Sequence, residues 1–344
     1  MSISETPKPF NSWLRNTDIE SFISMRSLIG NKKSIYAIAF SPDGQILAST
    51  SNCFENNDSV ALWSFKSGTL LATLPGEKTY GGGVNTIAFS PDGKILVTGY
   101  YYGMDSIVEL WSLETRTLLA TLPGYGECKV SSVVFSGDGK ILASSGEISG
   151  SIDLWSWKKI GDILACSGKT DTPIELFLYP TTLTGHESQV LCLAFSGDGK
   201  TLASGDMDGV IKLWSVETGK SVVTITTDED GVDVVAFSPD GKTLASIDGT
   251  GSTIKLWLVE TGELVATLCE HESSTYTLAF NPDGMTLASG GSDKTIKLWS
   301  VETGGLVATL SGHESCIYAL AFSSDGLTLA SGSNDGIIKL WQLL

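Results

Sequence analysis

The chain has 344 residues, 42% of them hydrophobic and 18% charged, with a formal net charge of -17. Such an excess of carboxylates repels phosphate backbones and anionic bilayers, and no Lys/Arg cluster interrupts it, so neither nucleic acid nor membrane is an expected partner. No apolar run approaches the ~18 residues of a membrane span, and Met1-Ser2-Ile3-Ser4-Glu5-Thr6-Pro7 lacks the charged and apolar regions of a signal peptide, so a cytoplasmic location is expected.

Residues 1–17, with Pro7, Pro9 and Trp13, read as a flexible tail before one domain at 18–344. Then a motif recurs seven times: a Phe after small or β-branched residues, Asp-Gly three and four positions later, and a lone Trp closing an aliphatic strand. The phenylalanines are Phe40, Phe89, Phe135, Phe195, Phe237, Phe280 and Phe322; the tryptophans are Trp63, Trp111, Trp155, Trp214, Trp257, Trp299 and Trp341. Asp-Gly between two alternating apolar runs signals a hairpin, because Gly accepts the positive φ of a tight reversal. Segments such as Val210-Ile211-Lys212-Leu213-Trp214 alternate with period two, which argues strand rather than helix. Successive Trp positions differ by 48, 44, 59, 43, 42 and 42 residues, the period of four-stranded propeller blades. The predicted fold is all-β, a seven-bladed propeller of four-stranded antiparallel blades.

The seventh repeat stops at Trp341-Gln342-Leu343-Leu344, without room for a fourth strand, while Ser27-Leu28-Ile29-Gly30 stands before Phe40 as Thr309-Leu310-Ser311-Gly312 stands before Phe322. Residues near Phe22 to Leu28 are therefore expected to complete the last blade, closing the ring and removing exposed strand edges.

The chain resembles the WD40-repeat family over almost its whole length, and most closely its regular prokaryotic type. The resemblance is carried by His-Glu-Ser at 186–188, 271–273 and 313–315, by Leu-Ala-Ser at 202–204, 244–246, 287–289 and 329–331, and by Ile-Lys-Leu-Trp in repeats four to seven, all in phase. The Asp that follows Trp in the family's name is absent: Ser64, Ser112, Ser156, Ser215, Leu258, Ser300 and Gln342 stand there.

Three sets of residues look like a hydrolase triad: Ser204, His186 and Asp208; Ser289, His271 and Asp293; Ser331, His313 and Asp335. The family resemblance implies instead a structural network in which each set joins its tryptophan, Trp214, Trp299 or Trp341. Repetition favours that reading, since an enzyme rarely needs three copies of a triad. Repeat five agrees, having Asp228 for His and Gly251 for Asp, so that both partners vanish together. The Asp-Gly turns lack the alternating oxygen ligands and distal Glu of a calcium loop. Six cysteines, Cys53, Cys128, Cys166, Cys192, Cys269 and Cys316, include no Cys-x-x-Cys pair; free thiols are expected, with Cys192 as core filler. No catalytic residue, metal or cofactor is predicted.

The resemblance also implies a binding face built by the loops leading into each first strand and those between second and third strands. Four residues before each Phe come Tyr36, Asn85, Ser131, Leu191, Asp233, Tyr276 and Tyr318, and seven before the Trp come Met104, Ile148 and Met207 among others. Loops in repeats one and two are longer and contain Phe54 and Tyr100-Tyr101-Tyr102, and Tyr80 and Tyr125 precede neighbouring first strands. The candidate contact residues are thus Tyr36, Tyr276, Tyr318, Tyr100, Tyr101, Tyr102, Met104, Phe54, Leu191 and Met207, types that give large contact area at small entropic loss.

Repeat three carries an insertion at about 158–175 on the opposite face, read as an extended hairpin or mobile loop. Its Ser167-Gly168-Lys169-Thr170 lacks the preceding Gly and following helix of a phosphate loop. The function expected is a non-enzymatic, monomeric scaffold that presents a tyrosine-rich face of an acidic disc to a protein partner. A glycan or small-ligand binder is the alternative. An enzyme ranks below both, for it would need convergent acid and base groups near the channel, where mainly Asp233 stands.

Overall fold

The computed structural model describes residues 22–29, 34–51, 58–75, 83–100, 107–122, 130–146, 150–158, 160, 174–175, 180–227, 230–251, 253–269 and 271–343. The tail at 1–17 and most of the insertion lie outside them. The described strands form seven sheets arranged as a propeller.

Blade four shows how a repeat folds. Its strands Val190–Phe195, Thr201–Asp206, Val210–Ser215 and Lys220–Thr226 pair antiparallel in chain order. The first reversal is built by Ser196-Gly197-Asp198-Gly199. Ser196 Oγ donates to Asp198 Oδ1 at 2.7 Å, the Lys200 amide donates to the same oxygen at 3.0 Å, and Gly199 takes φ of 69°. A side-chain oxygen that captures the amide two residues on mimics a backbone turn, and the same bonds recur at Asp43, Asp92, Asp138 and Asp240. These carboxylates are occupied by their own turns. At Asp138, bonds from Lys140 and Ser136 hold the pKa down to about 2.

The core lies between blades. Leu154 and Leu183 of blade three pack with Leu193, Leu202 and Trp214 of blade four, and equivalent clusters fill the other interfaces. Each buried Leu or Ile contributes about 1.5–3 kcal/mol by leaving water, so neighbouring blades hold one another in place.

Phe22–Ile29 pairs antiparallel with Ile337–Leu343, with Leu28 opposite Ile338, and becomes the outer strand of blade seven. Leu28 is buried with Ile338, Leu340 and Trp63. Arg26 Nη1 donates to the Lys66 carbonyl at 3.1 Å, tying the closing strand to blade one.

The described ends of the repeat-three insertion differ from the predicted hairpin or mobile loop. Trp157, Lys158 and Ile160 take helical backbone, and Ile160 is fully buried among Val97, Val108 and Leu122 of blade two and Leu142 and Trp155 of blade three. Ile174–Glu175 then pairs in parallel with Leu118–Leu122, making blade two five-stranded. An unpaired outer edge is a ready template for another strand, and the chain fills this one with its own segment.

Candidate interaction face at the channel mouth

The seven first strands, Ile35–Phe40, Val84–Phe89, Val130–Phe135, Val190–Phe195, Val232–Phe237, Thr275–Phe280 and Ile317–Phe322, each lie against the first strands of both neighbouring blades and form a closed inner ring. In all seven, the register with the second strand shifts immediately after the first residue. The residue before the shift is buried every time: Ile35, Val84, Val130, Val190, Val232, Thr275 and Ile317. A β-bulge re-aims the extra side chain away from the regular alternation. Tyr36, Asn85, Ser131, Leu191, Asp233, Tyr276 and Tyr318 all stand in these bulges, at the end of the ring where the chain enters each blade.

Three bulges in consecutive blades carry tyrosine. Tyr276 and Tyr318, in blades six and seven, have ring centroids 5.1 Å apart at 48°. Tyr318 and Tyr36, in blades seven and one, lie 5.2 Å apart at 15°, a stacked pair. Tyr36 is 37% and Tyr276 39% exposed, with Tyr318 half-buried between them. Burial, followed by the nearby Cys316, Tyr36 and Tyr276, pushes the Tyr318 pKa up, so its hydroxyl stays protonated at neutral pH.

The next bulge, in blade five, carries Asp233. The residue is exposed, but partial desolvation of its carboxyl pushes the pKa up, and the neighbouring Asp248 adds to the effect. Asp248 is buried and accepts hydrogen bonds from Thr250 and Thr253. On the other side of the arc, in blade two, Asn85 Oδ1 is a buried acceptor that no donor of the described residues meets. Leu191 is half-buried in its bulge, and Met207, 58% exposed, stands in the turn between the second and third strands of blade four.

Of the other candidate contact residues, Tyr100 is placed differently from the prediction. It is half-buried and its hydroxyl donates to Glu109, a buried carboxylate that also accepts from Trp111 Nε1 at 3.0 Å and Thr98 Oγ1 at 3.5 Å. Blade two has Thr98 where other blades have Ser, and Glu109 rather than that hydroxyl receives the indole N–H. Tyr100 thus serves the inside of its blade. Phe54, Tyr101, Tyr102, Met104, Tyr80 and Tyr125 lie outside the described residues.

The serine, histidine and aspartate sets are buried chains. In blade six, Trp299 Nε1 donates to Ser289 Oγ at 2.8 Å, Ser289 Oγ lies 2.7 Å from His271 Nε2, and His271 Nδ1 lies 2.8 Å from Asp293 Oδ2. Blade seven repeats this with Trp341, Ser331, His313 and Asp335 at 2.8, 2.7 and 2.9 Å. An ionised carboxylate only accepts, so Nδ1 carries the proton, Nε2 accepts from the serine, and the serine accepts from the indole. Burial lowers the pKa of His271 and His313, outweighing the pull of Asp293 and Asp335. The serine oxygens lie inside the blades, out of reach of a substrate.

Blade four departs from the predicted set. His186 Nε2 meets Ser204 Oγ at 2.6 Å and Trp214 Nε1 donates to that oxygen at 2.8 Å, but His186 Nδ1 lies 2.6 Å from Asp206 Oδ2, so Asp206 and not Asp208 completes the chain. Asp206 is buried at the end of the second strand, whereas Asp208 points to solvent. The Asp206 Oδ1 also accepts the Val210 amide at 2.8 Å. Spacing to the Trp concealed this, because Gly291 and Ser333 occupy the place of Asp206 in blades six and seven. In blade five, Trp257 Nε1 donates to Ser246 Oγ at 2.8 Å; Gly251 has φ of 66°, and Asp228 lies outside the described residues.

Among the described residues, no group of three His, Cys, Asp or Glu could hold a metal ion. Cys192 is a buried free thiol whose pKa burial pushes far up; Cys269 and Cys316 are also free.

A family model described as "WD domain, G-beta repeat" matches seven segments, 22–64, 68–112, 116–156, 179–215, 219–257, 262–300 and 304–342. The first includes the closing strand at Phe22–Ile29. The chain is similar to WD repeat-containing protein SL1-17 of Schistosoma mansoni, with 31% identity over 194 residues, covering 56% of this chain and 54% of that protein. It is also similar to ribosome biogenesis protein erb1 of Schizosaccharomyces pombe, 45% identical over 58 residues (16% of this chain, 8% of that one). Protein FIZZY-RELATED 3 of Arabidopsis thaliana is 39% identical over 67 residues (18% and 14%). The chain therefore spans about half the length of the first relative and far less of the other two. These relatives are eukaryotic and lend no support to the expected prokaryotic type.

Proposed function

As the chain belongs to the WD40-repeat family, with seven matched repeats, we propose that it is a non-enzymatic scaffold whose channel mouth docks a protein partner on the Tyr36, Tyr318 and Tyr276 arc. One observation carries this reading: the same bulge presents an aromatic ring in three consecutive blades, and the rings form one contiguous patch. Isolated exposed apolar groups are ordinary; contiguous patches mark interaction sites. Tyrosine supplies contact area with few rotatable bonds. The charge of -17 steers basic partners toward the disc. Leu191 and Met207 extend the contact on the far side of the mouth. A cytoplasmic monomer remains the form proposed.

A glycan would use the open faces of aromatic rings. The Tyr36 and Tyr318 faces lie against each other at 15°, which favours a protein occupant that packs on ring edges and hydroxyls.

The test is capture from a lysate of the source organism with three baits: wild type, the Tyr36→Ala/Tyr276→Ala/Tyr318→Ala variant, and Leu327→Ala. Leu327 is exposed beside the Asp-Gly turn at the opposite end of blade seven. All three baits are first checked for the same cooperative melt. The expected result is a protein retained by wild type and Leu327→Ala and lost from the tyrosine variant. Equal retention by all three would place binding elsewhere.

A further inference from the structure

The chemistry of the mouth narrows the kind of protein segment that it fits. Going round the inner ring, Asp233, Tyr276, Tyr318, Tyr36 and Asn85 occupy the bulges of five consecutive blades. A carboxylate stands at one end of the aromatic arc; at the other is Asn85 Oδ1, a buried acceptor that no donor of the described residues meets. Asp233 is itself exposed; the buried carboxylate of Asp248 in the same blade acts on it, and blade four holds the buried Asp206. Asp206 faces His186, while Asp248 is held by the hydroxyls of Thr250 and Thr253, so no cationic side chain among those contacts balances it.

We propose that the occupant of the mouth is an arginine side chain of a protein partner, with its guanidinium on Asp233 and its stem and plane along Tyr276, the ring of the arc in the neighbouring blade. This rests on the reading of the tyrosine arc as the docking surface. Guanidinium suits the place for three reasons. It is planar and weakly hydrated, so it lies on aromatic rings at small desolvation cost. Its five N–H donors form a fork that matches a carboxylate. It accepts no hydrogen bonds, so it suits a carboxylate, which only accepts. Lysine would bring the charge without the planar fork. The rise in the Asp233 pKa is in keeping with this: partial desolvation of its carboxyl and the nearness of Asp248 disfavour a lone negative charge there, and a bound cation relieves both.

The experiment is selection on an immobilised random octapeptide array with the full chain, followed by fluorescence titration of the best peptide. Wild type is expected to select peptides with arginine at one fixed position. Replacing that arginine by lysine or citrulline is expected to lower affinity about tenfold or more, as for loss of a charge-assisted bond. Asp233→Asn should lose about as much, with affinity for the citrulline peptide unchanged. Raising salt should weaken the wild type more than Asp233→Asn. Selection without arginine, equal binding of lysine or citrulline peptides, an unaffected Asp233→Asn, or no selected peptide would each overturn the proposal. If peptides without arginine are selected and the triple tyrosine variant loses them, the arc is still the docking surface and only the arginine assignment falls. If arginine peptides bind the triple variant as well as wild type, both readings fall.

Discussion

Tyr36 stacks on Tyr318 with ring centroids 5.2 Å apart, although the two belong to the first and last blades of the chain. They meet only because Phe22–Ile29 pairs with Ile337–Leu343 and closes the ring. A stacked pair is worth about 0.5–1.5 kcal/mol beyond the area it buries. A double-mutant cycle of Tyr36→Ala and Tyr318→Ala, read by denaturant unfolding, is expected to show a coupling of that size, about 1 kcal/mol. Strict additivity would mean that the rings do not stabilise the seam.

Blade four offers two aspartates for one histidine, and their roles separate cleanly by substitution. Asp206→Asn replaces one of two buried carboxylate oxygens, which accept from His186 on one side and from the Val210 amide on the other, by an NH2 donor, and is expected to cost about 1–3 kcal/mol, as for a buried polar group losing its partner. Asp208→Asn, at an exposed turn position, is expected to fall within about 0.5 kcal/mol of wild type. Thermal or denaturant melts of the two variants check the assignment, and the reverse order would return Asp208 to the network.

The buried histidines give the fold an acid sensitivity of defined sign. Burial depresses the pKa of His271 and His313 from 6.5, so the unfolded chain binds protons that the folded chain refuses. Their contribution is therefore complete above about pH 6.5 and declines as the pH falls below it. The carboxylates add a second, lower window. Burial raises Asp293 and Asp335, but hydrogen bonds from His271 and the Thr295 amide, and from the Glu314 amide and His313, outweigh it and hold both below 3.8. That stability is present above 3.8 and is lost as the pH falls through the lowered values. Melting temperature should accordingly drop between pH 7 and 5. A His271→Asn/His313→Asn variant, less stable at pH 7, should show a shallower drop over that range.

Ile160 tests whether the start of the insertion belongs to the core. It is fully buried between blades two and three, so Ile160→Ala is expected to cost about 2–5 kcal/mol, the range for a large-to-small change in a packed interior. A loss below about 0.5 kcal/mol, the ordinary size of a surface change, would return this residue to the predicted mobile loop.

The amino-acid sequence by itself determined the blade count, the Asp-Gly reversals and the closing strand, because those features are made by residues whose spacing repeats; the chains of Trp299 and Trp341 followed from the family resemblance. Ser196, Asp198 and Gly199 need only each other to turn the chain, and a hairpin of fixed length carries the rest into register. Only the tertiary structure decided which groups share a space. His186 reaches Asp206 because the second strand ends where the preceding loop crosses it, and spacing to the Trp cannot report that crossing. Tyr100 turns inward because Glu109, two residues before Trp111, supplies a buried acceptor across the hairpin. Ile160 enters the core because the insertion folds back on blade two. The tyrosines could be counted along the chain, but a bulge in the pairing holds Tyr36, Tyr276 and Tyr318 side by side, and the closing of the ring sets Tyr36 against Tyr318. Local hydrogen bonds fix what recurs every repeat, whereas contacts between blades depend on all of them being in place.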